Sequence, residues 1–127
     1  MPNRAKDWIA QAERDLEQAT ASQEQGRHEW ACFAAQQSAE KAVKALHLAL
    51  DQKPLGYSVS RLLRELPVPV ESALVEKGEV LDRVYIPSRY PDSHPGGAPF
   101  EHYGPPQSGE TIQHARAILD FVRSKMP

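Results

Sequence analysis

Apolar residues recur at helical spacing along most of the chain, and no segment alternates as a half-buried strand would. Trp8, Ala12, Leu16 and Ala19 fall three or four residues apart, which predicts a first helix over roughly residues 4–24 with Asn3 as its N-cap. Gly26 then marks a turn. A second stripe, Cys32, Ala35, Ala39, Ala42, Leu46 and Ala49, predicts a helix over about residues 29–51. Its small side chains allow close approach of a partner, so the two helices are expected to form an antiparallel hairpin. Trp8 and Trp30 are expected to meet in the core of that hairpin. Ala31, Ala34 and Ala45 put small residues on further faces of the second helix, which suggests contacts on a second side, as in a dimer.

Pro54 and Gly56 end the second helix, and Ser58 can cap a short one carrying Leu62, Leu63 and Leu66 before Pro67 and Pro69 stop it. Val70, Leu74, Leu81 and Tyr85 suggest a fourth helix. Gly78 lies inside it, at a cost of ~1 kcal/mol against Ala, so a kink is expected there. The last helix is expected to start after Ser108 and to present Ile112, Ala115, Leu119, Val122 and Met126 on one side. Between Ile86 and Gln107 lies a long loop rich in Pro and Gly, a kind that in compact domains is functional or disordered. Tyr85, Tyr90, Phe100 and Tyr103 offer it apolar anchors, so it is expected to pack across the helices. The expected architecture is all-α, one domain over residues 1–127: an up-and-down bundle of four to five helices with the Pro/Gly-rich loop before the last.

Composition narrows the partners more than the fold. With 127 residues there is room for one hydrophobic core. A net charge of −2 rules out a uniformly basic nucleic-acid coat, so any contact with nucleic acid must be local. Cys32 is the one cysteine, and the N-terminal residues carry no apolar signal core, which points to the reducing cytoplasm. No run approaches the roughly 18 consecutive apolar residues of a membrane helix.

Chemistry concentrates in Ser88-Arg89-Tyr90-Pro91-Asp92-Ser93-His94, with Arg83 upstream and His102 downstream. An arginine stays charged and forks donors toward a phosphate, and a histidine exchanges a proton near neutral pH. In phosphodiester cleavage His94 would take the proton of a ribose 2′-hydroxyl and Arg89 would stabilise the phosphate as it becomes pentacoordinate, with no metal required. His28, His47 and His114 stand on predicted helices without a metal-binding spacing, so neither a metal nor another cofactor is expected. Glu40 and Lys44 can pair one turn apart.

Gln36-Gln37-Ser38-Ala39-Glu40-Lys41-Ala42-Val43-Lys44-Ala45, preceded by Trp30 and Phe33, resembles the second-helix signature of HEPN domains. Trp8 with Asp15-Leu16 resembles their first helix. Gly56-Tyr57-Ser58-Val59, followed by Leu62-Leu63, resembles their Gly-His-Ser-Leu segment, with Tyr57 where histidine is usual. Ser88-Arg89-Tyr90-Pro91-Asp92 matches the Arg-Tyr-Pro segment of one branch. The resemblance implies a helical bundle, often dimeric, in a family that holds both metal-independent ribonuclease toxins and noncatalytic nucleotide-binding partners of minimal nucleotidyltransferases.

Arg89 and His94 satisfy the Arg, four residues, His spacing of the ribonuclease members. The Arg-Tyr-Pro branch, however, holds its arginine more regularly than its histidine, and Pro91 and Pro95 disfavour a continuous helix through the motif. The resemblance therefore implies first a cytoplasmic homodimer that binds a nucleotide or RNA phosphate through Arg89, with Lys41, Lys44, Arg83 and His102 around it. Its expected partner is a nucleotidyltransferase, in a pair like a toxin and antitoxin. The alternative is a metal-independent endoribonuclease toxin with Arg89 and His94 as catalytic residues. A second alternative is a structural interaction domain in which Arg89 ties the loop to the second helix.

Overall fold

The computed structural model describes residues 3–127, and every regular element among them is helical. Helix α1 (Ala5–Glu24) and helix α2 (His28–Ala49) form the hairpin, reversing at Gly26 in the left-handed conformation that its φ of 75° requires. Asn3 ties the ends of the pair. Its Oδ1 accepts from the Ala5 amide at 3.1 Å and its Nδ2 donates to the Leu48 carbonyl at 2.8 Å.

Ala12 and Ala19 of α1 and Ala35, Ala39 and Ala42 of α2 are fully buried. With so little side chain between them, the backbones come close enough for the buried Ser38 Oγ to donate to the Ala12 carbonyl at 2.7 Å. Trp8 and Trp30 do not meet. In an antiparallel pair a residue near the start of α1 faces the end of α2, and Trp8 lies beneath the Lys44 ammonium, 5.8 Å from its ring centre. Trp30, beside the turn, is 48% exposed.

Helix α2 is the central element, packing on all the other helices. Ala31, Ala34 and Ala45 are buried within the chain itself. Helix α6 (Pro105–Lys125), helix α3 (Val59–Arg64) and helix α4 (Ser72–Asp82) pack on α2 besides α1, so the burial of these alanines requires no second copy. Leu46, Leu62, Leu63, Leu81, Ile118 and Leu119 fill the space between them.

Helix α4 runs unbroken through Gly78, contrary to the expected kink. The reason is contact with α3: a Cβ at Gly78 would stand 3.0 Å from the Ser60 nitrogen and 3.1 Å from its Cα. One turn on, Asp82 caps α3 from outside. Its carboxylate accepts from the Val59 amide at 2.6 Å and from the Ser58 and Ser60 hydroxyls, while Ser58 Oγ caps the Arg61 amide at 3.2 Å.

Helix α4 stops before Tyr85, and the chain continues through consecutive turns to Arg89, a 3-10 turn at Pro91–Ser93 and a one-turn helix α5 (Pro99–His102). Pro99 is buried and α5 rests on α2, whereas Phe100, an expected anchor, is 62% exposed. Helix α6 begins at Pro105 and not after Ser108. Pro105 and Pro106 occupy a first turn that needs no amide donors, and Gln107 Oε1 reaches back to the Gly104 amide at 2.8 Å. Ser108 is already inside, buried between Gln23 and His28.

Cys32 is fully buried, and burial pushes its thiol pKa up, partly offset by the Thr111 hydroxyl. It is therefore expected to ignore a thiol-specific dye at mildly alkaline pH and to react fully in denaturant; fast labelling of the folded protein would contradict this packing. Gly78→Ala should lower stability by ~1–3 kcal/mol in chemical denaturation, the usual cost of overpacking. At an unobstructed helical position the same change would raise stability by up to ~1 kcal/mol.

Candidate functional site

The turns after α4 present Arg89. Arg89 and Tyr90 donate their amides to the Ile86 carbonyl, and the buried Ser88 hydroxyl donates to the Val84 carbonyl. The arginine is therefore held at both backbone and side chain. Its Nε donates to the Tyr85 carbonyl at 2.9 Å, and its guanidinium carbon lies 4.3 Å from the centre of the Phe33 ring, 4.8 Å from that of Tyr85 and 5.1 Å from that of Tyr90. Tyr57 stacks on Tyr85 with centroids 4.1 Å apart, and Trp30 meets Phe33 edge-on.

These rings form a seat for a cation. Each cation–π contact contributes about 0.5–2 kcal/mol while leaving the positive charge unneutralised. Among the described residues no carboxylate pairs with Arg89, and its terminal amino groups have no protein acceptor. The half-buried arginine is thus fixed in place with both terminal amino groups, four N–H donors, left over. Such a group recognises an oxyanion.

The other candidate residues are disposed differently. Lys41 pairs with Asp15 across the hairpin, and Lys44 pairs with Glu40 at 2.9 Å. Both ammonium groups already face a carboxylate. Arg83 is exposed at the end of α4, without an ion pair among the described residues. His94 Nε2 donates to the Pro87 carbonyl at 2.7 Å, and His102 Nε2 donates to the Gly96 carbonyl at 2.6 Å. The two imidazoles stack with centroids 4.2 Å apart and planes 5° from parallel, and Tyr103 meets His94 edge-on. Both histidines therefore fasten the loop to itself. Tyr103 lies in this cluster with its phenol pKa raised by burial.

Phe33, Tyr57, Tyr85 and Tyr90 as one seat were not foreseen, because they come from α2, the segment before α3 and the turns after α4. Phe33 and Tyr57 do stand within the two motif segments. Gln36, fully buried on α2, completes the link by donating to the Tyr57 carbonyl at 3.0 Å and to Glu40 at 3.2 Å.

Fold and site together define a class: an all-helical domain built on a small-residue hairpin and crossed by an Arg-Tyr-Pro loop. The chain belongs to the HEPN domain family, whose sequence model matches residues 5–125. It is similar to TT1696 from Thermus thermophilus (48% identity, 98% of this chain and 99% of that one, TM-score 0.96). It also resembles ST0689, an archaeal HEPN homologue (40% identity, 99% and 100% covered, TM-score 0.86). An HEPN domain protein of Thermotoga maritima follows at 32% identity, with 93% and 95% covered and a TM-score of 0.77. No curated protein matches the chain. Among the described residues no helix is long and apolar enough to cross a membrane.

The His94 geometry has a measurable consequence. His94→Ala should cost ~1 kcal/mol, one hydrogen bond's worth, and lower Tm by about 2–6 °C. It should also speed proteolytic nicking between residues 86 and 104. An unchanged Tm and cleavage pattern would mean that the ring does not hold the loop.

Proposed function

We propose that this HEPN protein binds the phosphate of a nucleotide or of single-stranded RNA through Arg89. The observation that carries this reading is an arginine positioned by three aromatic rings and a backbone carbonyl, with its terminal donors unmatched by any carboxylate among the described residues. Hydrogen bonds from a charged donor to a phosphate contribute about 1.5–3 kcal/mol each. The seat supports recognition in particular, because the guanidinium does not have to be ordered when the anion arrives.

Cleavage is the less favoured chemistry. With Nε2 donating to Pro87, the lone pair of His94 is on Nδ1, and any base chemistry would have to come from a ring that is also stacked on His102 and tied into the loop. A nucleotidyltransferase partner and a homodimer are part of the proposal on family grounds. In that arrangement the chain is the phosphate-binding member of the pair.

Isothermal titration with nucleoside monophosphates and a short single-stranded RNA tests the reading. Arg89→Ala should weaken binding at least ~10-fold, the equivalent of ~1.4 kcal/mol. His94→Ala should leave affinity within about 3-fold, a difference under ~1 kcal/mol. The same RNA incubated in chelator should stay intact. Fragments ending in 2′,3′-cyclic phosphate that vanish in His94→Ala would overturn the binding reading in favour of ribonuclease chemistry.

A further inference from the structure

Six large apolar side chains are exposed among the described residues: Trp30, Leu55, Tyr57, Ile86, Tyr90 and Phe100. Three of them belong to the ring system around Arg89. Tyr90 borders the guanidinium itself, Tyr57 stacks on Tyr85, and Trp30 meets Phe33. Two more lie in the same segments. Ile86 follows Tyr85 and its carbonyl takes the Arg89 and Tyr90 amides, while Leu55 comes two residues before Tyr57. Most of the large apolar exposure is therefore gathered about one unpaired cation. Isolated apolar residues on a surface need no explanation, but a clustered patch marks an interaction site. Tryptophan, tyrosine and arginine are also the residues most enriched in the hot spots of protein interfaces.

A phosphate uses only part of this surface. It engages the guanidinium and leaves the side chains of Leu55 and Ile86 without a role. A protein that covered the rings without bringing an acid would seal Arg89 away from water unmatched, and an uncompensated buried charge is strongly destabilising. The surface thus dictates the chemistry of what can cover it: apolar side chains for the rim and an oxyanion for the centre. A carboxylate meets a guanidinium in the same two-pronged geometry as a phosphate. Two-fold pairing of this face with a second copy is the poorer match, since it would set one unpaired arginine against another.

We infer that this face docks a protein segment with a carboxylate flanked by apolar side chains, and that the carboxylate takes the place of phosphate on Arg89. The inference rests on the open guanidinium of the phosphate reading and adds its regulation: docked partner and bound phosphate exclude each other. The terminal N–H donors of Arg89 serve either ligand, whereas the rim is contacted by the partner alone.

Random peptides displayed on phage are panned on the full chain in phosphate-free buffer, and the enriched sequences are synthesised and titrated. They are expected to carry an aspartate or glutamate between aliphatic or aromatic residues. Exchanging that acid for its amide should weaken binding at least ~10-fold. On Arg89→Gln the exchange should have no further effect, the mark of a direct pair in a double-mutant cycle. Leu55→Ser and Ile86→Ser together should weaken the peptide about 10-fold and leave AMP binding within about 2-fold. AMP should displace the peptide from the unaltered chain. No enrichment, enriched peptides without an acid, or a peptide that AMP binds beside and does not displace would overturn the inference, and AMP titration alone would still decide the phosphate reading. A dimer dispersed by Leu55→Ser and Ile86→Ser in sedimentation would assign the face to a second copy and overturn it as well. Acid-dependent peptide binding by a chain that takes neither AMP nor RNA would keep the docking surface and overturn the phosphate reading, and with it the exclusion.

Discussion

Helix α2 can stand in contact with every other helix only because most of its inward positions are alanine, serine or cysteine. Close approach on one side brings Ser38 onto the α1 backbone; on another, α6 covers Cys32 and places Thr111 beside it. A central helix with larger side chains would push its neighbours outward and open voids, which the density of protein interiors does not tolerate. This constraint also sets the site. The same helix carries Phe33 against Arg89 and Gln36 against the Tyr57 carbonyl, so the core that fixes α2 fixes the arginine's seat as well.

Charge is distributed in a way that keeps that arginine available. Two partly buried carboxylates of the hairpin have lysine partners of their own, Asp15 with Lys41 and Glu40 with Lys44. Both pairs are largely shielded from water, where breaking one would leave an uncompensated charge, so they resist exchange with Arg89. Lys41 and Lys44, expected beside Arg89, serve as counterions within the hairpin. A carboxylate in place of the rings would fix the guanidinium equally well and cancel its charge. Aromatic faces fix it and leave its terminal donors for a ligand.

Sequence periodicity sufficed for the elements whose partners are near in the chain. The extents of α1 and α2, the Ser58 cap and the buried stripe of α6 all follow from spacing and capping chemistry, which are local. Gly78 resisted the same treatment, because its meaning lies in the backbone of α3 passing within contact distance. The start of α6 was displaced for a local reason: a serine that looks like a cap competes with two prolines equally suited to a first turn. Arg89 was legible as a candidate from the Arg-Tyr-Pro segment. Its seat was not, since Phe33, Tyr57 and Tyr85 are far apart in sequence and nothing in their separate surroundings says that they converge.

The loop before α6 explains how an exposed segment can hold Arg89 steady. Its prolines restrict the unfolded chain, so less entropy is lost on ordering it, and the stacked His94 and His102 close it with two backbone bonds. One of those bonds ends on Pro87, two residues before Arg89 on the same run of turns. His94, which spacing offers for proton transfer, stiffens the segment bearing the arginine. A loop pin needs a proton facing a carbonyl, and its placement on Nε2 fixes the tautomer, with the ring's lone pair on Nδ1. With His94 Nε2 committed to Pro87 and Arg89 Nε to Tyr85, the run of turns holds its cation in one place, and that fixity, more than the number of charges nearby, is what the loop supplies.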